Sequence, residues 1–158
     1  MSLEQLFGVA TIVPCAARVE VGALTRYTLL DRGSYESGDA VVPAEVVELA
    51  SRATGRSLAV REARVLCLRA GDYLLARHDR LHDDNPVEVV LDLSPAVVPG
   101  AEVHYRRRGR TFFRVPSAPG SLAIVERGPT VACNHTYISR LVPDALVLRL
   151  VAVLGATE

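Results

Sequence analysis

An antiparallel β-sandwich or barrel carrying one helix is the fold class this sequence predicts, and three observations predict it. Apolar and polar residues alternate with a period of two almost continuously from residue 57 to residue 154. Pro and Gly punctuate that alternation at intervals of about 8–12 residues, the rhythm of short strands in sandwiches and barrels. Ahead of it stands one stretch with helical spacing, too little helix for an α/β architecture.

The elements read in order. Residues 1–42 form a weakly patterned lead-in, in which Arg18-Val19-Glu20-Val21 alternates like a strand and Asp31 to Asp39 has the composition of a loop. The helix spans residues 43–55: Pro43 opens it, Val46, Val47, Leu49, Ala50 and Ala53 supply an apolar stripe, and Gly55 closes it. The β core occupies residues 57–154. Its strands are expected at Ser57–Arg61, Ala63–Arg69, Tyr73–Asp79, Val87–Leu93, Ala101–Tyr105, Thr111–Val115, Ser121–Glu126, Thr130–Tyr137 and Ala145–Leu154. A chain of 158 residues is one domain by length, and its 49% hydrophobic content is enough to fill one core.

Charge excludes several classes of function. Eighteen basic residues, all of them Arg, balance eighteen acidic ones, so no global field draws the chain to nucleic acid or to an anionic membrane. The run Arg106-Arg107-Arg108-Gly109-Arg110, beside Phe112 and Phe113, reads as a solvated hairpin tip. Cys15, Cys67 and Cys133 are an odd set with no CxxC, which fits reduced thiols in a cytoplasmic protein. The longest late apolar stretch, Ala145 to Ala156, is interrupted by Arg149 and too short to span a bilayer.

The histidines are the natural carriers of chemistry. A mononuclear iron(II) site needs two imidazoles and a carboxylate on one face of the metal, leaving the opposite positions open. His78 and His82 lie among Asp79, Asp83 and Asp84, and His135 stands alone much later. A cluster at one strand end plus one distant ligand is the distribution such a site takes in a barrel. The competing reading makes 77–84 a solvated charged turn and His135 structural. His104 could line the barrel as a substrate contact, and fits better a strand histidine exposed at a hairpin.

From Pro43 to Leu154 the sequence resembles the iron(II)- and 2-oxoglutarate-dependent oxygenases, in particular their small prolyl-4-hydroxylase-like branch. Leu68 to Arg80 resembles the family's Tyr-x-x-Gly-Asp-x-Leu-x-x-His-x-Asp strand. Val87 to Ser94, followed by Pro99-Gly100-Ala101-Glu102-Val103, is similar to the strand and Gly-Gly-Glu-Leu turn that come next. Pro119-Gly120-Ser121-Leu122, then His135, then Arg149 follow the family order of glycine strand, distal histidine and basic residue on the last strand.

The resemblance implies a double-stranded β-helix, iron(II) and 2-oxoglutarate as cofactors, and hydroxylase-type oxidation of a small molecule or of a side chain presented by a partner. It implies His135 as a metal ligand and Arg149 as the group that grips the distal carboxylate of 2-oxoglutarate. One departure stands out. The family's first iron histidine falls on Arg77, its carboxylate falls on Asp79, and His78 lies between them. Three repairs follow: a β-bulge that turns His78 inward to join Asp79 and His135, a motif slid to His82-Asp83-Asp84, or a lost ligand with Arg77 facing the substrate. The first is the expectation adopted here. A barrel that binds a ligand or partner without oxygenase chemistry is the alternative.

Overall fold

The computed structural model describes residues 8–77, 85–128 and 131–157, without the side chains of residues 76 and 77. His78, Asp79, His82, Asp83 and Asp84 therefore lie outside the described residues, and so does a bulge at His78 itself.

Eleven strands and one helix make up the described chain. The strands are β1 (Ala10–Pro14), β2 (Thr25–Leu29), β3 (Gly33–Asp39), β4 (Leu58–Arg69), β5 (Tyr73–Arg77), β6 (Val87–Asp92), β7 (Val103–Arg107), β8 (Arg110–Val115), β9 (Ser121–Glu126), β10 (Val131–His135) and β11 (Leu146–Ala156). The helix α1 runs from Ala44 to Thr54. Pairing is antiparallel throughout, in the order β1-β9-β6-β11-β4-β3-β5-β10-β7-β8, with β2 on β3. β3 joins both β4 and β5, so it bridges two four-strand groups, β9-β6-β11-β4 and β5-β10-β7-β8, into one nearly closed wall. Strands that alternate between two facing groups in this way define a double-stranded β-helix, as the sequence predicts.

The lead-in differs most from the sequence reading, since it also holds the strands β1 and β2. Residues expected as a loop, Asp31 to Asp39, instead turn into β3, and Arg18 to Val21 form no strand. β3 carries Gly33, Ser34, Glu36, Ser37, Gly38 and Asp39, a composition that reads as turn. Its place is fixed by tertiary contact: at Gly33 an added Cβ would strike the Tyr73 carbonyl, so only glycine lets the bridging strand approach β5. Ser57–Arg61 and Ala63–Arg69 merge into the single strand β4, paired with β11 along its whole length past one register shift.

Two cores result. β6, β9 and β11 are buried on both faces, which explains their near-continuous apolar sequences. Val87, Val89, Leu91, Leu122, Ile124, Leu150 and Leu154 face α1, whose Val46 and Ala50, one turn apart, are fully buried. The helix stops at Gly55, left-handed at φ 67°, whose N–H bonds back to the Ser51 carbonyl. The residues between them in sequence, Val90, Ala123, Val125, Val147 and Val151, face the barrel interior with Leu66, Leu68, Val103 and Tyr105.

That interior also holds charge. Glu88 and Asp92 on β6, Arg149 on β11, His135 on β10 and Arg127 after β9 are all buried. Arg127 Nη1 donates to Glu88 Oε2 at 2.7 Å, Arg127 Nη2 donates to the Val131 carbonyl at 3.0 Å, and Tyr105 Oη donates to Glu88 Oε1 at 2.7 Å. The Arg127 guanidinium also lies 5.9 Å from the Tyr105 ring centre. Asp92 works at the opposite end of β6, accepting from the backbone N–H of Ser94 and of Ala118, both at 2.9 Å.

A buried pair that loses one partner leaves an uncompensated charge. Arg127→Ala is expected to cost about 3–5 kcal/mol, and replacing both partners, with Glu88→Leu and Arg127→Met, is expected to cost much less. Urea unfolding of the three proteins checks this; equal losses in the single and double variants would show that the pair is no unit.

Candidate functional site

Strand alternation decides which polar side chains enter the barrel. On β11, Val147, Arg149 and Val151 share the interior face, while Leu148, Leu150 and Ala152 point the other way. On β10 the interior face carries Cys133 and His135. Leu74 of β5 lines the same space.

Inside, His135 and Arg149 meet. Arg149 Nη1 lies 2.9 Å from His135 Nδ1, and the two residues are 2% and 3% exposed respectively. A guanidinium can only donate, so Nδ1 accepts and the imidazole proton sits on Nε2. Burial is the main reason that the imidazole is far harder to protonate than usual, and the nearby Arg149, Arg64 and Arg127 charges add to it. Burial also pulls Arg149 down to about 10, with the Asp92 carboxylate working in the opposite direction. Arg149 thus remains a cation at neutral pH whose hydrogen bond goes to a neutral ring.

Next to them is a cavity of about 20 Å³, lined by Arg64, Leu74, Glu88, Arg127, Cys133, His135 and Val151. It has room for about one water molecule and is far below the roughly 300–1,000 Å³ of ordinary ligand pockets. Cys133 is no nucleophile here. Burial, and then the Glu88 charge, hold its thiol well above the ordinary value.

The sequence expectations can be placed one by one. His135 and Arg149, drawn from different strands, meet in the barrel interior. Arg77 ends β5, its backbone in register with Cys133. A register shift does occur in this strand pair, between Cys133↔Arg77 and His135↔Leu74, which puts one extra residue in β5 upstream of His78. His104 is turned away from the interior residues Val103 and Tyr105 and pairs with Glu102 at 2.8 Å, so it does not line the barrel. Among the described residues no group of three His, Cys, Asp or Glu side chains is placed to hold a metal.

Sequence reasoning passed over Glu88, Tyr105, Arg127 and Arg64. For Glu88 the signal was present: an acid inside the apolar strand Val87-Glu88-Val89-Val90-Leu91 has the same oddity that singled out Arg149. Arg127 carried no such mark, because it follows a strand end where arginine is ordinary.

The architecture is that of a double-stranded β-helix, and comparison with solved structures agrees. No protein-family model and no curated protein sequence matches the chain. A 2OG-Fe(II) oxygenase family oxidoreductase from Burkholderia pseudomallei superposes with a TM-score of 0.63 at 13% identity, over 86% of this chain and 76% of that one. A Pseudomonas putida prolyl-4-hydroxylase gives 0.57 at 13% identity, over 85% and 78%. HygX from Streptomyces hygroscopicus, solved with nickel, 2-oxoglutarate and hygromycin B bound, gives 0.58 at 10% identity, over 99% and 88%. At such identities the likeness is one of fold.

A neutral, buried His135 makes stability pH-dependent. Its folded pKa lies below the value near 6.5 that it regains on unfolding, so the unfolded chain binds the extra proton first. Its contribution is whole above about pH 6.5 and is lost as pH falls below it, by up to about 1.4 kcal/mol per pH unit. Urea midpoints of wild type and His135→Asn between pH 7.5 and 5 should converge as pH falls; parallel curves would mean that His135 titrates alike in the folded and unfolded chain.

Proposed function

We propose that this chain is an iron(II)- and 2-oxoglutarate-dependent oxygenase acting on a small molecule or on a side chain that a partner presents. The meeting of His135 and Arg149 inside a double-stranded β-helix carries this reading. A strand-borne imidazole and a buried guanidinium are the two groups that hold metal and cosubstrate in such a site.

By residue type they fit. His135 has one nitrogen lone pair to give, and Arg149 offers a planar fork suited to a carboxylate. His78 and Asp79 would complete the metal set, with His82 and Asp84 as the slid alternative and Arg77 beside the substrate. When bound, iron(II) and 2-oxoglutarate couple oxidative decarboxylation by dioxygen to hydroxylation of a C–H bond. The chain's own contribution is positioning and exclusion of water in a buried interior.

The present contact sets a condition on this chemistry. An imidazole that ligates a metal through one nitrogen carries its proton on the other, and a protonated nitrogen cannot accept from Arg149. Arg149 therefore has to leave His135 before His135 can ligate, and a carboxylate is the group able to draw it away. The 20 Å³ cavity has to widen in the same movement. That closed cavity and the Arg149 contact also favour a second reading, a barrel that binds an anion or a partner without oxygenase chemistry.

With manganese(II) present, 2-oxoglutarate at a hundredfold excess over its Kd should stabilise the wild type by about 2.7 kcal/mol, a rise of several degrees in Tm. Arg149→Leu should fold and lose the rise, and His135→Ala should lose the metal. Alanine at His78 and at His82 locates the other imidazole. A rise that survives Arg149→Leu would overturn the clamp. Absence of any metal or 2-oxoglutarate binding by the wild type would leave the second reading.

A further inference from the structure

The β7–β8 hairpin carries a basic groove that the interior site does not explain. Its loop is the pair Arg108-Gly109, with φ of 52° and 75°, closed by Arg107 in register with Arg110. Two successive left-handed residues make the tight hairpin turn that asparagine and glycine usually occupy. An arginine at the first of these positions is out of place on conformational grounds alone.

Beside the turn lies a groove of about 650 Å³ lined by Arg107, Arg108, Arg110 and Phe112. The Arg107 guanidinium lies over the Phe112 ring, 5.4 Å from its centre. Among the described residues no carboxylate lines the groove, and the side chains of Arg108 and Arg110 form no hydrogen bond or ion pair. In a chain with zero net charge, the Arg108 and Arg110 side chains thus stand together with no ionic partner among the described residues.

The register places this groove at a particular end of the barrel. Arg107 pairs with Val131 on β10, and Cys133, two residues along, pairs with Arg77 at the end of β5. Two strand spacings, about 10 Å, separate the hairpin from the end of β5.

We infer that this groove binds the phosphate group of a small phosphorylated molecule, held by Arg108 and Arg110 at the barrel end where β5 finishes. A phosphate presents three acceptor oxygens and close to two negative charges, enough to engage more than one guanidinium fork, whereas a single carboxylate satisfies one. Nucleic acid is the poorer match, because its affinity comes from many phosphate contacts along a basic surface, and here the charge is confined to one hairpin. Binding in the groove is independent of the proposed oxygenase reading. Only the further step, that the phosphorylated molecule is the substrate, rests on it.

The test is calorimetric titration of the full chain, without added metal, with pyrophosphate and with inorganic phosphate. A double variant, Arg108→Asn with Arg110→Thr, keeps a residue suited to the left-handed turn and one suited to the strand. The wild type should bind pyrophosphate, and the variant should bind it at least about tenfold more weakly at unchanged Tm. Equal affinity in both proteins, or no binding by the wild type, overturns the inference. So does a single-stranded oligonucleotide that binds more tightly than pyrophosphate with a steep salt dependence. Pyrophosphate binding by a chain that consumes no 2-oxoglutarate upholds the groove and removes the oxygenase reading. Consumption of 2-oxoglutarate without pyrophosphate binding does the reverse.

Discussion

A guanidinium sealed inside a protein needs an acceptor and an opposite charge, and Arg149 finds the first in an imidazole and the second in the Asp92 carboxylate. Its hydrogen bond goes to His135 Nδ1 at 2.9 Å, while the Asp92 carboxylate on the neighbouring strand, itself engaged by two backbone N–H groups, supplies an attractive field. The contact fixes the imidazole as neutral and sets its tautomer. It also decides what the interior can do next, because the two groups suited to a metal and to a carboxylate are at present satisfied by each other. A ligand has to compete with an existing hydrogen bond rather than enter a vacant site.

The rest of the interior supports that state. Glu88, Arg127 and Tyr105 form a compensated unit on one side of the small cavity, and their charges need nothing further. Arg64, Arg127 and Arg149 together make the surroundings of His135 hostile to a second positive charge on the ring. A dication would meet the same field, so the acidic residues needed to offset it have to come from elsewhere in the chain. The stretch 78–84, with three aspartates, is the place in the sequence that can supply them.

Much of the fold was legible because it rests on periodicity. Alternation gave the strands from β4 onward, and the Pro43–Gly55 bracket gave α1 to within a residue. β3 was not legible, since its small polar residues follow turn composition and only contacts with β4 and β5 make it a strand. Of the site, Arg149 and His135 could be read because a charge or an imidazole interrupts an apolar strand. Their mutual contact could not, because it joins strands whose pairing partners lie elsewhere in the sheet: β10 lies on β5 and β7, β11 on β4 and β6. Glu88 could have been read by the same rule as Arg149, whereas the depth of Arg127 depends on its packing against Tyr105 and Glu88 from other strands.

If a carboxylate and a metal are to separate His135 from Arg149, one proton has to move. Nitrogen-15 NMR of the histidine rings reads it directly, with zinc(II) as a diamagnetic stand-in for iron(II). The free protein should show His135 protonated on Nε2 with Nδ1 as an acceptor, and zinc with 2-oxoglutarate should move the proton to Nδ1. A proton already on Nδ1 in the free protein, or no change when both ligands are added, would contradict the account.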